Sequence, residues 1–171
     1  MITWRAEKRE DQSGIYEVHT LAFKQEEEAK LVNAIRLSDE YIPELSLVAE
    51  VDGHIVGHVM FSKIYIEMEQ GMITTLGLAP VAVRPDHQGK GIGSALIQEG
   101  LKRSKELGYP HVVVLGHADY YPRFGFVPSV TKGIQSPFPV PAEAFMVLEL
   151  IPGALQGIEG VVKYPPTFDQ V

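Results

Sequence analysis

Three glycines within five residues, Gly89, Gly91 and Gly93, follow an apolar run and open a stretch of helical spacing. The segment reads Val81-Ala82-Val83-Arg84-Pro85-Asp86-His87-Gln88-Gly89-Lys90-Gly91-Ile92-Gly93-Ser94-Ala95-Leu96. Backbone N–H groups at a helix start lack intrahelical partners and point outward with the positive end of the helix dipole. Glycines let such backbone come close to a ligand, and the chemistry this suits is the binding of phosphate or pyrophosphate. Lys90 and Arg84 add positive charge at the rim. A turn that merely starts a helix is the alternative. Each glycine, however, costs about 1 kcal/mol in a helix relative to alanine, so three together need a reason. The spacing is not Gly-x-Gly-x-x-Gly, and no Gly-Lys-Ser/Thr follows a four-residue gap. A dinucleotide fold and a Walker-type NTPase are therefore set aside.

The elements that must hold this loop follow from periodicity. Ile2 to Arg5 reads as a short strand. Ile15, Val18, His19 and Ala22 carry helical spacing, with Asp11 or Ser13 as the cap. A second helix fits Glu27 to Leu37, with Ala29, Leu31, Val32 and Ile35 apolar. Leu45 to Val51 and Ile55 to Ile66 read as strands joined at Asp52-Gly53, a strong hairpin signal. Met72 to Arg84 is a strand whose apolar second half makes it central. Ile92, Leu96, Ile97 and Leu101 form a helix that stops at Gly108 with Pro110 beyond. His111 to Leu115 is a buried strand, and strand, helix, strand predicts that it lies parallel to Met72–Arg84. Phe145 to Ile151 reads as a further strand. Pro128, Pro137, Pro139 and Pro141 make the segment between them a surface loop.

Length and composition bound the class. The chain has 171 residues, 45% of them apolar and 22% charged, which fits one globular domain with a real core. It contains no cysteine, which excludes disulfides, thiolate zinc sites and a cysteine nucleophile. With 15 basic against 22 acidic residues the net charge is −7, which argues against nucleic acid as a partner. The longest apolar stretch, Leu76 to Val83, is far short of a membrane span, and the first residues lack the apolar core of a signal peptide. The expectation is a cytoplasmic protein that does not engage a membrane. His54 and His58 would lie about 13 Å apart on a strand, and no carboxylates cluster at ligand spacing, so no metal is expected.

Gln88-Gly89-Lys90-Gly91-Ile92-Gly93 resembles the Gln/Arg-x-x-Gly-x-Gly/Ala motif of the GNAT superfamily of acetyl-CoA-dependent N-acetyltransferases. The resemblance covers nearly the whole chain. It is strengthened by Tyr121-Pro122-Arg123-Phe124-Gly125-Phe126 about 30 residues later. Leu115-Gly-His-Ala-Asp-Tyr-Tyr-Pro-Arg-Phe-Gly-Phe126 is similar to a bacterial subgroup of predicted acetyltransferases. The resemblance implies an α/β fold of GNAT type: a mixed, mostly antiparallel central sheet, one parallel splayed strand pair, and helices on both faces. It implies that backbone N–H groups of Gln88, Gly89, Lys90, Gly91, Ile92, Gly93 and Ser94 hold the CoA pyrophosphate. It also implies that Val81, Ala82 and Val83 pair with the pantetheine arm. Pro80 within an apolar strand favours a bulge or splay there, which agrees.

When an amine attacks a thioester, the departing thiolate needs a proton. A phenol of reference pKa about 10 can supply one if suitably placed. Tyr121 stands four residues before Gly125, where the family usually carries its general acid. Packing in the core, or holding the cofactor by a hydrogen bond, is the alternative. The general base is not readable: the motif strand offers Thr74 and Thr75 where relatives place a glutamate, and Glu50, Glu67, Glu69 and His117 are the options. Glu26-Glu27-Glu28, in the acceptor-side region by resemblance, is either an attractor of cationic amines or a solvated helix face. The resulting expectation is a domain over residues 1–151 with a C-terminal extension, 152–171, packed on it. That domain would act as an N-acetyltransferase moving an acetyl group from acetyl-CoA to a primary amine by direct attack. The acceptor would be a small-molecule amine or a protein N-terminus, and the protein a monomer or homodimer. The alternative from another class is a non-catalytic acyl-CoA-binding sensor or regulatory module.

Overall fold

Asp52 and Gly53 both hold positive φ (49° and 79°), as a two-residue type I′ turn demands, so Val51 faces His54 across a hairpin. The hairpin belongs to a computed structural model that describes residues 1–169. Gln170 and Val171, the end of the expected 152–171 extension, lie outside the described residues. Contacts divide the chain into two units: residues 1–62, 79–103 and those from 166 onward, and residues 63–78 with 104–165.

In the first unit, β1 (Ile2–Ala6), β2 (Ser46–Val51) and the first part of β3 (His54–Met68) are antiparallel neighbours, with Ile2 on Val51 and Val48 on His58. β4 (Gly71–Val83) follows β3, and its end is tied back by Arg84 N–H donating to the Val56 carbonyl at 2.8 Å. The helices α1 (Gln12–Phe23) and α2 (Glu27–Arg36) bring Ile15, Val32 and Ile35 against Val48, Met60 and Ala79, and Phe168 packs on the same cluster. α3 (Ile92–Glu106) covers the opposite face of β3. A Cβ on Gly57 would meet Leu96 at 3.0 Å and Ile92 at 3.1 Å, while the next residue, His58, contacts His19 of α1. Alternate strand residues face opposite ways. β3 is thus covered by helix on both sides, and glycine is what lets α3 approach.

One buried carboxylate organises this unit. Glu7, just past β1, accepts two hydrogen bonds from Arg36 at the end of α2 (2.8 and 3.2 Å). It also accepts one from the Ser46 hydroxyl at the start of β2. His58 Nε2 lies 3.6 Å from its Oε1 and 2.8 Å from Ser46 Oγ, and His58 Nδ1 lies 2.8 Å from His19 Nε2. Burial alone would raise the Glu7 pKa. His58, 3.6 Å away, and the hydrogen bonds from Arg36 and Ser46 outweigh it and bring the carboxyl down to about 2. Burial lowers both histidines, His19 to about 2, with Glu7 opposing the shift at His58.

Asp11 does not cap α1 with its side chain as expected. Its carboxylate is taken by Arg5 (2.6 and 3.0 Å) and by the Lys8 N–H (2.7 Å), an ion-pair competitor that local reading omits.

In the second unit, β4 pairs in parallel with β5 (His111–Leu115), Leu76 on Val112 and Gly77 on Val113, as the strand–helix–strand order predicts. Gly108 ends α3 at φ 92°, with Tyr109 N–H bonded to Ser104 and Gly108 N–H to Lys105, which is a Schellman stop. β5 continues antiparallel to β8 (Phe145–Glu149), which also pairs β6 (Val127–Pro128). The proline-bearing segment is more structured than a surface loop. It contains β7 (Ile134–Gln135), whose Ile134 is fully buried and which runs parallel to β9 (Gly160–Lys163). β9 in turn pairs antiparallel with β3, Tyr65 on Lys163. The sheet is mixed and mostly antiparallel, with β4–β5 as its expected parallel pair and β7–β9 as an additional short parallel ladder.

Two outcomes test this account. A Cβ on Gly100 of α3 would overlap the ring of Phe61, which is fully buried. Gly100→Ala should therefore destabilise by about 1–3 kcal/mol, measured by urea unfolding, and an unchanged midpoint would mean that the ring moves freely. Stability should also depend on pH with a fixed sign. The unfolded histidines bind protons below their ordinary 6.5 whereas folded His19 and His58 resist, and the unfolded Glu7 protonates near 4.5 whereas folded Glu7 stays ionised to about 2. Unfolding free energy should thus be level from about pH 7 to about 9, fall as pH drops below 6.5, and fall more steeply below 4.5. A level profile between pH 7 and 5 would contradict the buried pair.

Candidate functional site

β4 ends at Val83, and a turn of 3-10 helix (Pro85–His87) redirects the chain. Gln88 closes that turn: its side-chain Nε2 donates to the Val83 carbonyl at 3.0 Å, so its amide group braces the loop rather than pointing away. Gly89 and Gly91 then take positive φ, 78° and 81°, where a side chain would be strained, and a Cβ on either would meet nothing within 4 Å. Here glycine is required by backbone conformation, and open space stands beside it. The first i→i−4 bond of α3 runs from Ala95 N–H to the Gly91 carbonyl at 3.0 Å. The amides of Ile92 and Gly93 precede that bond and lie at the positive end of a 15-residue helix. Ser94 completes the first turn, and Lys90 is exposed beside it.

The first unit thus brings Val81, Ala82, Val83 and Gln88 through Ser94 together as one strand end, turn and helix start. Ala82 is buried, whereas Val81 and Val83 are partly exposed. Arg84 is not a free rim charge: it pairs with Glu17 of α1 at 2.8 Å and lies 3.9 Å from Asp86. Positive potential at the loop therefore comes chiefly from backbone amides and from Lys90.

Tyr121 lies in the second unit, first in a 3-10 turn (Tyr121–Phe124) that ends on Gly125 at φ 100°. Its N–H donates to the His117 carbonyl at 3.3 Å, its ring lies directly on Gly116, and Phe126 meets it edge-on with centroids 5.8 Å apart. It is 7% exposed, and burial, with a smaller contribution from Tyr120, pushes its phenol up to about 12. Tyr120 serves elsewhere, with the Arg123 guanidinium 4.5 Å above its ring.

The other sequence-level options are now placed. Glu50 pairs with Arg5 at 3.4 Å, Glu67 with Lys163 at 3.7 Å, and Glu69 and His117 are exposed. Thr75 is buried and bonded to His111 Nδ1 at 2.6 Å. Glu26 accepts from the Tyr16 hydroxyl at 2.8 Å, Gln25 donates to Glu28, and Glu27 and Glu28 lie in the first turn of α2, where the dipole favours acids. Among the described residues no group of three or more histidines and carboxylates is arranged to hold a metal, and no helix is long and apolar enough to cross a membrane. Sequence reasoning missed the Glu7–Ser46–His58–His19 cluster. The available signal was a histidine in each of two apolar patterns: His19 among Ile15 and Val18, and His58 within the buried run of β3.

Comparison with known proteins agrees with this geometry. Residues 12–126 match the family model for the acetyltransferase (GNAT) family. The N-acetyltransferase YjhQ of Escherichia coli K12 is 40% identical over 142 residues, 82% of this chain and 78% of that one. The crystal structure of the GNAT family N-acetyltransferase YhbS from Escherichia coli in complex with CoA superposes with a TM-score of 0.90 at 33% identity. The match covers 99% of this chain and 92% of that one. A GNAT family acetyltransferase from Brucella melitensis in complex with acetyl-CoA gives a TM-score of 0.81 at 33% identity, over 99% of both chains. The chain belongs to the acetyltransferase (GNAT) family.

Proposed function

We propose that this chain transfers an acetyl group from acetyl-CoA to a primary amine, by direct attack of the amine on the thioester in a ternary complex. The observation that carries the reading is the turn at Gly89 and Gly91: two left-handed residues beside open space, ahead of the first-turn amides of a long helix. Such a turn offers several N–H donors to a diphosphate without a side chain in the way. Its support from outside the chain is that two relatives at 33% identity were solved with CoA and with acetyl-CoA. On this reading Gln88 through Ser94 hold the pyrophosphate, and the exposed edge of Val81–Val83 receives the pantetheine amides. Acetyl-CoA is the acyl donor.

Tyr121 is the proposed acid. Its raised pKa keeps the phenol protonated throughout the neutral range, so the O–H is a permanent donor. Full transfer to a thiolate of ordinary pKa about 8.5 is uphill, so the O–H acts first as a hydrogen bond to sulfur as the C–S bond breaks. The acceptor is a small-molecule amine or a protein N-terminus. No covalent enzyme intermediate is needed, and there is no cysteine to form one. The protein works in the cytoplasm as a monomer or homodimer, without a metal, a membrane or nucleic acid as partner.

Calorimetric titration with CoA, ATP and NAD tests the cofactor assignment: CoA should bind and the other two should not. Gly91→Ala forces a methyl into the left-handed region and should weaken CoA binding about tenfold or more while leaving the fold intact by circular dichroism. Tight ATP binding without CoA binding would overturn the assignment. The acid is tested by thiol release from acetyl-CoA with spermidine, glucosamine, n-butylamine and a short peptide bearing a free N-terminus. Tyr121→Phe should lower kcat at least about tenfold without changing the CoA dissociation constant. CoA binding with no turnover on any of the four would favour the non-catalytic acyl-CoA-binding reading instead.

A further inference from the structure

The hydrogen bonds around Glu7 determine the tautomer of each histidine behind it. Glu7 is ionised, so Ser46 donates its hydroxyl proton to it. Ser46 Oγ must then accept from His58, which puts a proton on His58 Nε2 and leaves His58 Nδ1 as a lone pair. His19 Nε2, 2.8 Å away, must therefore be the donor. A neutral imidazole carries one N–H, so His19 Nδ1 is a bare lone pair. That nitrogen is fully buried and has no hydrogen-bond partner. A buried acceptor left unpaired is costly unless something uses it.

The chain of bonds is also directional. A proton arriving at His19 Nδ1 lets the Nε2 proton pass to His58 Nδ1, and no heavy atom need move. The positive charge then rests on His58, 3.6 Å from the Glu7 carboxylate. The other charged or titratable groups facing this cluster are Arg36, which holds Glu7, and Tyr41, half-buried beside them. The cluster adjoins the proposed cofactor strand. Arg84 N–H bonds to Val56 two residues before His58, a Cβ on Gly57 would lie 3.4 Å from the Ala82 carbonyl, and Glu17 of α1 pairs with Arg84.

We propose that His19, His58, Ser46 and Glu7 form the proton-accepting relay of the acyl transfer, with His19 Nδ1 as its entry and His58, beside Glu7, as the point where the charge is least opposed. This rests on the acetyltransferase reading above and supplies the base that reading lacks. The amine nitrogen bonds to the thioester carbonyl carbon and the C–S bond breaks. A proton leaves the nitrogen for His19 Nδ1 as the Nε2 proton moves to His58, and the sulfur is protonated by Tyr121. The His58 Nδ1 proton then returns to His19 Nε2 as the Nδ1 proton leaves His19 for solvent, and solvent returns a proton to the Tyr121 oxygen, so both groups are reset and the products are the N-acetyl amine and CoA thiol. His19 would touch the reacting amine, whereas His58, Ser46 and Glu7 position it and hold charge. Phe23, whose ring lies parallel to His19 at 6.1 Å and is 38% exposed, is the neighbour that yields to admit the amine.

His19→Gln separates this role from a structural one, because the glutamine amide reproduces the Nε2–H donor to His58 and lacks the Nδ1 acceptor. With whichever of the four amines wild type turns over fastest, the variant should keep its thermal midpoint and CoA affinity and lose about 10² in kcat. The deficit should shrink as pH rises and hydroxide substitutes for the base. Full activity in the variant, with wild type turning over, would remove the relay and leave the acetyltransferase reading intact. No turnover by wild type would remove both. Nitrogen-15 NMR of histidine-labelled wild type reads the tautomer without any turnover: Nε2–H with bare Nδ1 at His19 is expected, and an Nδ1–H there would overturn the relay whatever the kinetics.

Discussion

A carboxylate with 3% of its side chain exposed can stay ionised only if its surroundings supply the hydrogen bonds that water would have made. Glu7 meets that condition by drawing on the end of α2, the start of β2 and the middle of β3, and through His58 it reaches α1. Each partner is fixed by something else as well. Arg36 sits in the last turn of α2, where the dipole favours a cation, and Ser46 also takes the Glu7 N–H on its carbonyl at 2.8 Å. Removing any one partner would leave a buried charge partly unpaired. The register of β1 on β2 on β3, and the seating of both early helices, therefore have to agree on one geometry.

An acidic chain with the proposed task of binding a polyanion by backbone has to solve a different problem. The net charge of −7 gives no long-range attraction for CoA, and the one arginine beside the proposed loop is occupied by Glu17 and Asp86. Affinity on the proposed reading then comes from short-range donors fixed in place before the ligand arrives. Left-handed φ at Gly89 and Gly91 aims the loop, and the Gln88 side chain, bonded to Val83, keeps it from relaxing. Pre-organised amides lose little freedom on binding, which is where a neutral site can compete with a cluster of lysines.

What could be read from the chain alone was what short-range rules decide. The type I′ turn at Asp52-Gly53, the stop at Gly108 and the glycine loop each depend on residues within five positions of one another, so pattern and structure agree there. Ion pairs and buried polar contacts are decided at long range. Asp11 has good cap chemistry, yet Arg5 takes its carboxylate. Arg84 sits beside the loop, and only the fold brings Glu17, 67 residues earlier, against it. Four prolines made the segment from Pro128 to Pro141 read as loop. The side chain of Ile134, buried beside β9, turns two of its residues into strand. Glu7 and His58 carry no local motif at all, which is why the proposed base stayed hidden while the proposed cofactor loop did not.

Burial acts on the two proposed proton-handling groups with opposite consequences. Desolvation disfavours the charged form of any group, so it raises the Tyr121 phenol to about 12 and depresses His19 to about 2. The phenol is thereby kept protonated and the imidazole kept bare, both neutral near pH 7. Each is in the state its proposed role requires before the substrates bind. Neither alone could store the proton it handles, because each resists charge. Burial holds His58 below its ordinary pKa as well, with the ionised Glu7 opposing the shift, so the charge is least opposed there and passes through rather than accumulating.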